Sequence, residues 1–399
     1  MTLSSKEIER NKRYRKTKQY SKITIPQVLS DCIFNGIYST NIIESKPDKS
    51  GNYKWIGPQE ATFGDYSSMK EGENIYFFFD RMIYGIGELN NIKFDCKFNN
   101  YPSASLPNNQ EYESIKSDLL FDFGINSNKN RWICTFKPSP YFFKKGVDMD
   151  EVLLSNPSKF RMLRIFSALS FLKIDDEENK ALKDIIIKTN EQALSIPINN
   201  VFEFDDSEHL KLYRKIKEIY KLNIYDFLES CINGTSIIHE MALEAGLLYQ
   251  LSQKHHDTVK VFGEWDYIHH QVIASPFKPL EYIDKMDIFG YRYIPNFDVR
   301  SKYLIIELKK DTANEEDIEQ VLKYVDWVNK EYSFGDYSMI NAFLVANIIP
   351  ENVVQARDTY AIRNYSKGSR PVNSNVWNNL ILVEYSYNIK SKMIDFKIV

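Results

Sequence analysis

Apolar residues recur along this chain with two periods, and the clearest case lies in its C-terminal half. Residues 283–289 and 303–309 read as two β-strands joined by a polar turn over 295–302. The second strand is an apolar run broken only by Glu307 and Lys309. A strand buried on both faces looks like that. Downstream, Ile318, Val321, Leu322, Val325 and Val328 recur at helical spacing. They follow Asn314, a fair N-cap with acids in the first turn. Upstream, residues 235–251 read as an apolar helix carrying Glu240 and Glu244 one turn apart, and 205–232 as helix leading into it. Residues 340–346 and 381–385 read as further strands. From Lys22 to about Pro140 the pattern is mostly β, with strand candidates at 23–25, 74–79, 82–89 and 131–136 and a tight turn at Asp80-Arg81. Residues 141–200 read as more helical, with apolar periodicity over 148–154 and 157–172 and a helix-starting acidic run at 175–178.

Charges inside a buried strand are costly unless they are paired or hold a metal ion. Successive side chains of a strand alternate faces, so Glu307 and Lys309 point the same way. A hairpin centred near Phe297 sets Asp287 opposite Glu307, with the lysine beside them. Hard oxygen ligands of this kind suit Mg²⁺ or Mn²⁺. The lysine is placed to orient a water or to offset charge developing at phosphorus. Asp298 competes from the turn tip, but lies roughly 30 Å of strand away from Glu307. Asp284 is a nearer rival if a bulge shifts the register.

Asp287 followed by Glu307-Leu308-Lys309 resembles the signature of the PD-(D/E)XK nuclease superfamily, with Met286 where the pattern's nominal proline falls. Gln320 and Tyr324, four apart on one helix face, resemble the Q-x-x-x-Y accessory motif of its RecB-like members. The superfamily core often opens with a helix that lends a glutamate to the metal site. Glu240 is the first choice for that role and Glu244 close behind. The resemblance covers residues 225–350, about a third of the chain, and rests on the order of these features. It implies a restriction-endonuclease-like fold and metal-dependent hydrolysis of DNA phosphodiesters, in restriction or antiphage defence. It implies Mg²⁺ or Mn²⁺ held by Asp287, Glu307 and Glu240 or Glu244, with Lys309, Gln320 and Tyr324 as catalytic partners. A competing class is a silent nuclease fold that binds nucleic acid or recruits proteins. The aromatic and glycine texture of residues 55–87 bears a fainter likeness to EVE/PUA-like β-barrels, some of which hold a modified base.

Composition adds limits. The 399 residues suit two or three domains, and 43% hydrophobic content supplies a sizeable core. A net charge of −3 does not advertise a nucleic-acid binder, so any DNA contact needs a local basic patch. Two candidates exist: the basic first 22 residues, and Arg363, Lys367 and Arg370 interleaved with Tyr360, Tyr365 and Trp377. The cysteines, Cys32, Cys96, Cys134 and Cys231, form no C-x-x-C and read as reduced and buried. No apolar run reaches the length of a membrane span, and the charged N-terminus has no signal-peptide core, so a cytoplasmic location is expected. The histidine pairs at 255–256 and 269–270 could touch phosphate or metal, at most one of each pair as a ligand, but read mostly as surface or packing residues. The whole is an α/β (α+β) chain. It has an arm over 1–22, a β-rich regulatory or substrate-reading domain with helices over 23–200, and a nuclease domain over 201–399 built on a central mixed sheet flanked by helices. DNA is the expected partner, and homo-oligomerisation stays open.

Overall fold

From its N-terminal end, the chain first builds a small antiparallel sheet and then a larger mixed one, with one helix of the first part laid against the second. The computed structural model describes residues 27–45, 47, 51–163, 171–234, 236–274 and 284–399. The basic arm and the strand candidate at 23–25 lie outside these residues. Helix α1 spans Gly57–Ser68. Strands β1 (Asn74–Phe79), β2 (Met82–Leu89) and β3 (Trp132–Pro138) pair antiparallel in that order, with short strands added at their edges. Asp80 and Arg81 turn between β1 and β2 with φ of 47° and 65°, as a two-residue hairpin turn of this hand requires. Helix α2 follows over Asp176–Thr189, capped by Asp175, whose side chain accepts the Glu178 N–H.

The larger sheet opens with helix α3 (Glu240–Ser252) and strands β4 (Tyr267–Ile273), β5 (Lys285–Tyr293) and β6 (Arg300–Thr312). Helix α4 (Glu315–Val328), β7 (Ile340–Ile348), β8 (Leu380–Asn388) and β9 (Met393–Ile398) complete it. The six strands lie in the order β9-β8-β7-β6-β5-β4. The β4–β5–β6 and β8–β9 pairs are antiparallel, and β6–β7–β8 are parallel. Alternation along β6 assigns its faces. Leu304, Ile306 and Leu308 join Leu243 and Leu247 of α3 in one core cluster. Tyr303 and Ile305 join Ile318, Val321 and Val325 of α4 in another. Burial on both faces explains why the middle of β6, Tyr303 to Leu308, carries a single charge, that of Glu307.

Two sequence expectations change here. Residues 57–68 form a helix rather than part of a β texture. Pro58 suits a first helical turn, and the Gln59 side chain reaches back to accept the Ile56 N–H at 2.9 Å. The periodicity is hidden because polar Gln59, Glu60, Ser67 and Ser68 are buried along with Phe63 and Tyr66. The helix expected over 157–172 does not form across 157–163, and 164–170 lie outside the described residues. The Glu178 carboxylate accepts the N–H groups of Arg161, Met162 and Leu163 at 2.6, 2.9 and 3.1 Å, which holds that backbone in a turn.

α1 ties the two sheets together. Phe63 stacks on Phe227 with ring centroids 3.9 Å apart and meets Trp132 of β3 edge-on at 5.3 Å. Those residues share one cluster with Ile288, Leu304, Ile306 and Phe343 of the larger sheet. At Gly64 the helix runs close to α3 and β4: a Cβ there would stand 3.5 Å from Ala245 and from the His270 ring, an ordinary van der Waals contact. Cutting the chain near residue 200 would therefore expose the wall of the second sheet to water. A fragment of residues 201–399 should show no cooperative melting transition. Phe63→Ala in the full chain should cost about 3–5 kcal/mol, read by denaturant unfolding. A fragment that melts sharply would show that the larger sheet does not need α1.

Candidate active site

The register of the β5–β6 hairpin determines what meets at its open end. Pairing runs from Arg292↔Lys302 to Ile288↔Ile306, so Asp287 comes next to Glu307. The Asp287 Oδ2 accepts the Leu308 N–H at 2.7 Å, which locks the carboxylate against β6. Lys309 Nζ donates to Glu307 Oε1 at 2.7 Å and stands 3.7 Å from Asp317 of α4. Asp317 is held by a capping box: the Asn314 side chain accepts the Asp317 N–H, and Asp317 accepts the Asn314 N–H at 2.8 Å. The cap that starts α4 thus also aims a carboxylate at the lysine. About one turn along, Gln320 Nε2 donates to the Tyr324 hydroxyl at 2.8 Å. Tyr324 is buried, and its hydroxyl is pushed well up by burial and then by the Glu307 and Asp287 charges.

Of the two helix glutamates, the structure brings in Glu244 and not Glu240. Glu240 is exposed in the first turn of α3, whereas Glu244 is buried one turn on. Gln271 Nε2 contacts Glu244 Oε1 at 2.8 Å and Asp287 Oδ1 at 3.3 Å, bridging the two carboxylates. Gln271 sits at a φ of 53°, a left-handed conformation that costs a non-glycine residue of order 1–3 kcal/mol. Asp298 is exposed at the hairpin tip, and Asp284 lies just before β5, where its carbonyl accepts the Ala274 N–H.

Two further residues join the group: His270, which reads mostly as a surface or packing residue, and Asp65, which is no sequence candidate. His270, on β4, is buried between carboxylates: Nδ1 lies 3.1 Å from Glu244 Oε2 and Nε2 lies 3.0 Å from Asp65 Oδ1 of α1. Burial alone would lower its pKa, but the bonds and charges of Asp65 and Glu244 outweigh this and lift it to about 10. His270 is thus held by two acidic side chains and is not the surface or packing residue expected. Asp65, His269 and His270 also bring possible ligand atoms within 4.8 Å of one another. With both His270 nitrogens facing carboxylates, that trio offers no free lone pair from His270. His269 and Asp65 line a cavity of about 1160 Å³ beside Tyr38, Phe77 and Phe171, apart from the Asp287–Glu307 pair.

The electrostatics are unbalanced. Burial, then the Glu307 and Glu244 charges, pushes Asp287 well above the usual carboxylate range. Burial lifts Glu307 to about 7 although Lys309 opposes it. Burial raises Glu244 too, with His270 opposing. Glu307 Oε2 is buried with no hydrogen-bond partner among the described residues. An unsatisfied carboxylate oxygen among other carboxylates fits a hard divalent cation. Lys309 also shifts upward: burial would lower it, but Glu307 and Asp317 outweigh burial, so it stays protonated.

The nucleic-acid candidates stand apart from this group on a separate hairpin, Arg363–Lys367 and Asn373–Trp377. Arg363 forks onto Asp326 at 2.8 and 3.0 Å, and Lys367 donates to Asp336 at 2.6 Å. Arg370 is exposed.

An α/β protein with a mixed sheet between helices is the class this fold defines. No family model matches the chain, and no curated protein matches it. Among solved structures, a repair endonuclease from Pyrococcus abyssi aligns at 20% identity with a TM-score of 0.18. The alignment covers 25% of this chain and 36% of that one, a likeness too small to carry an argument.

The carboxylate crowding has a measurable consequence. The Glu307 pKa is raised on folding, so its ionisation opposes the folded state. Any stability held at low pH declines as the pH rises from about 4.5 toward about 7. In chelator, Glu307→Gln should match wild type near pH 4.5 and exceed it above pH 7, by at most about 3 kcal/mol. Mn²⁺ should close the gap by stabilising wild type. Thermal melts of both proteins across this range provide the check, and a pH-independent difference would contradict the assignment.

Proposed function

We propose that this chain is a divalent-cation-dependent nuclease that hydrolyses DNA phosphodiester bonds. One observation carries the reading. The residues whose order resembles the PD-(D/E)XK signature also lie together: Asp287 beside Glu307, Lys309 on Glu307, and Glu244 linked to Asp287 through Gln271. Asp287, Glu307 and Glu244 would hold Mg²⁺ or Mn²⁺, which when bound supplies Lewis-acid charge to a phosphodiester oxygen.

The remaining work falls to the chain's own side chains. Lys309 is protonated, so it acts as a donor and a positive charge rather than as a base. From its place on Glu307 it can hold the attacking water or offset charge building on the phosphorus oxygens. Gln320 and Tyr324 support the site from α4, where their mutual bond fixes both side chains. Lys310 points to the opposite face, where its Nζ meets the Ile238 carbonyl at 3.4 Å. Residues 23–200 serve as the substrate-reading part, a role supported by the aromatic-lined cavity between that part and β4. Restriction or defence against foreign DNA is the setting that the resemblance implies.

The test is cleavage of plasmid, linear and single-stranded DNA, and of RNA, in Mg²⁺, Mn²⁺ or EDTA. Asp287→Ala and Glu307→Ala should each lower the rate at least about 100-fold while the protein stays folded. Lys309→Ala should lose turnover but still bind metal, and Lys310→Ala should change little beyond salt-sensitive DNA affinity. Gln320→Ala and Tyr324→Ala should fall between. Wild-type cleavage in excess EDTA, or equal mild losses at Lys309 and Lys310, would sink the nuclease reading. A nuclease-fold module that binds without cutting would then take its place.

A further inference from the structure

We propose that Asp65, contributed by the N-terminal part, is a positioning residue of the C-terminal site: acting through His270, it fixes Glu244 for the divalent cation. The inference rests on the metal-site reading above and extends it to a residue outside the nuclease-like segment.

The geometry is a chain of contacts in which each partner leaves the next little freedom. Asp65 Oδ1 lies 3.0 Å from His270 Nε2, and His270 Nδ1 lies 3.1 Å from Glu244 Oε2. The other Glu244 oxygen accepts from Gln271 at 2.8 Å. Both oxygens of Glu244 are thus engaged, and its carboxylate cannot rotate without breaking a bond. The His270 side chain is 6% exposed and that of Glu244 2%, so water does not compete strongly for either. A ring nitrogen facing a carboxylate must carry a proton to make a hydrogen bond. His270 faces a carboxyl group on each side, so Asp65 holds one ring nitrogen and the ring's other nitrogen holds Glu244. Without Asp65 the ring loses the contact that fixes its far side, and Glu244 loses a rigid partner. α1 passes the ring closely at Gly64, where a Cβ would stand 3.5 Å from it.

Carboxylate–histidine pairs that orient a metal ligand typically change metal affinity about 10–100-fold when broken. Packing must be separated from positioning, and the same helix offers a control. Glu60, on α1 and fully buried, lies 2.9 Å from His239 at the start of α3, a different partner from that of Asp65. Glu60→Gln disturbs the α1–α3 contact to a similar degree without touching the relay.

The experiment is calorimetric titration of the full chain with Mn²⁺, alongside melting of the metal-free proteins. Asp65→Asn keeps the side chain's shape and should weaken Mn²⁺ binding about 10–100-fold with little loss of melting temperature. Asp65→Glu restores the carboxylate on a longer arm and should recover part of that affinity, whereas Asp65→Ala should not. Glu60→Gln should bind Mn²⁺ as wild type does. The inference is overturned if Asp65→Asn binds Mn²⁺ like wild type, or if Glu60→Gln loses as much affinity as Asp65→Asn. Failure of the underlying reading looks different. If wild type does not bind Mn²⁺, or if Asp287→Ala and Glu244→Ala bind it undiminished, the metal site itself is wrong, and the role of Asp65 falls with it.

Discussion

A surplus of buried carboxylate over buried cation is the constraint on which the C-terminal architecture turns. Asp65, Glu244, Asp287, Glu307 and Asp317 gather around His270 and Lys309 in surroundings where water screens little. Such a group persists only because the fold over-determines it. The β5–β6 ladder fixes Asp287 against Leu308, the α4 capping box fixes Asp317, and the strained Gln271 bridges the remaining pair. Apolar packing on both faces of β6 supplies the stability that this crowding removes.

Much of the core was legible because strong periodic signals and local chemistry agreed. The apolar run of β6, its E-x-K and a short turn near Phe297 sufficed to place Asp287 beside Glu307. Asn314 marked the start of α4, and the helical spacing behind it ran out at Val328, where the helix ends. Charged residues on buried strands are informative for this reason, since few explanations other than pairing or a ligand allow them.

What stayed hidden is what tertiary contact alone decides. Glu240 and Glu244 occupy equivalent positions one turn apart, and only the path of β4 determines which is buried. His270 carried no local sign of its partners, one of which lies in a helix whose own pattern is masked by buried polar residues. The backbone at 161–163 abandoned its helical periodicity because a distant carboxylate, Glu178, captured its N–H groups. Arg363 and Lys367 read as free basic residues, yet acids from α4 and the loop after it already claim them. Pairing of that kind is invisible to a composition argument.

The contact between Asp65 and His270 spans 205 positions, and β6 pairs in parallel with β7 from beyond α4. Contacts so distant in sequence form late, because loop closure must precede any reward from the pairing. During synthesis the N-terminal part leaves the ribosome first, while the strands that carry Asp287 and Glu307 are still unmade. The carboxylate group therefore comes together only after nearly the whole chain is available. A truncated product ending before α4 would carry Asp65, Glu244 and even Glu307, yet lack Asp317 and the helix that braces the lysine. In such a fragment Lys309 would keep Glu307 but lose the second carboxylate that α4 sets beside it.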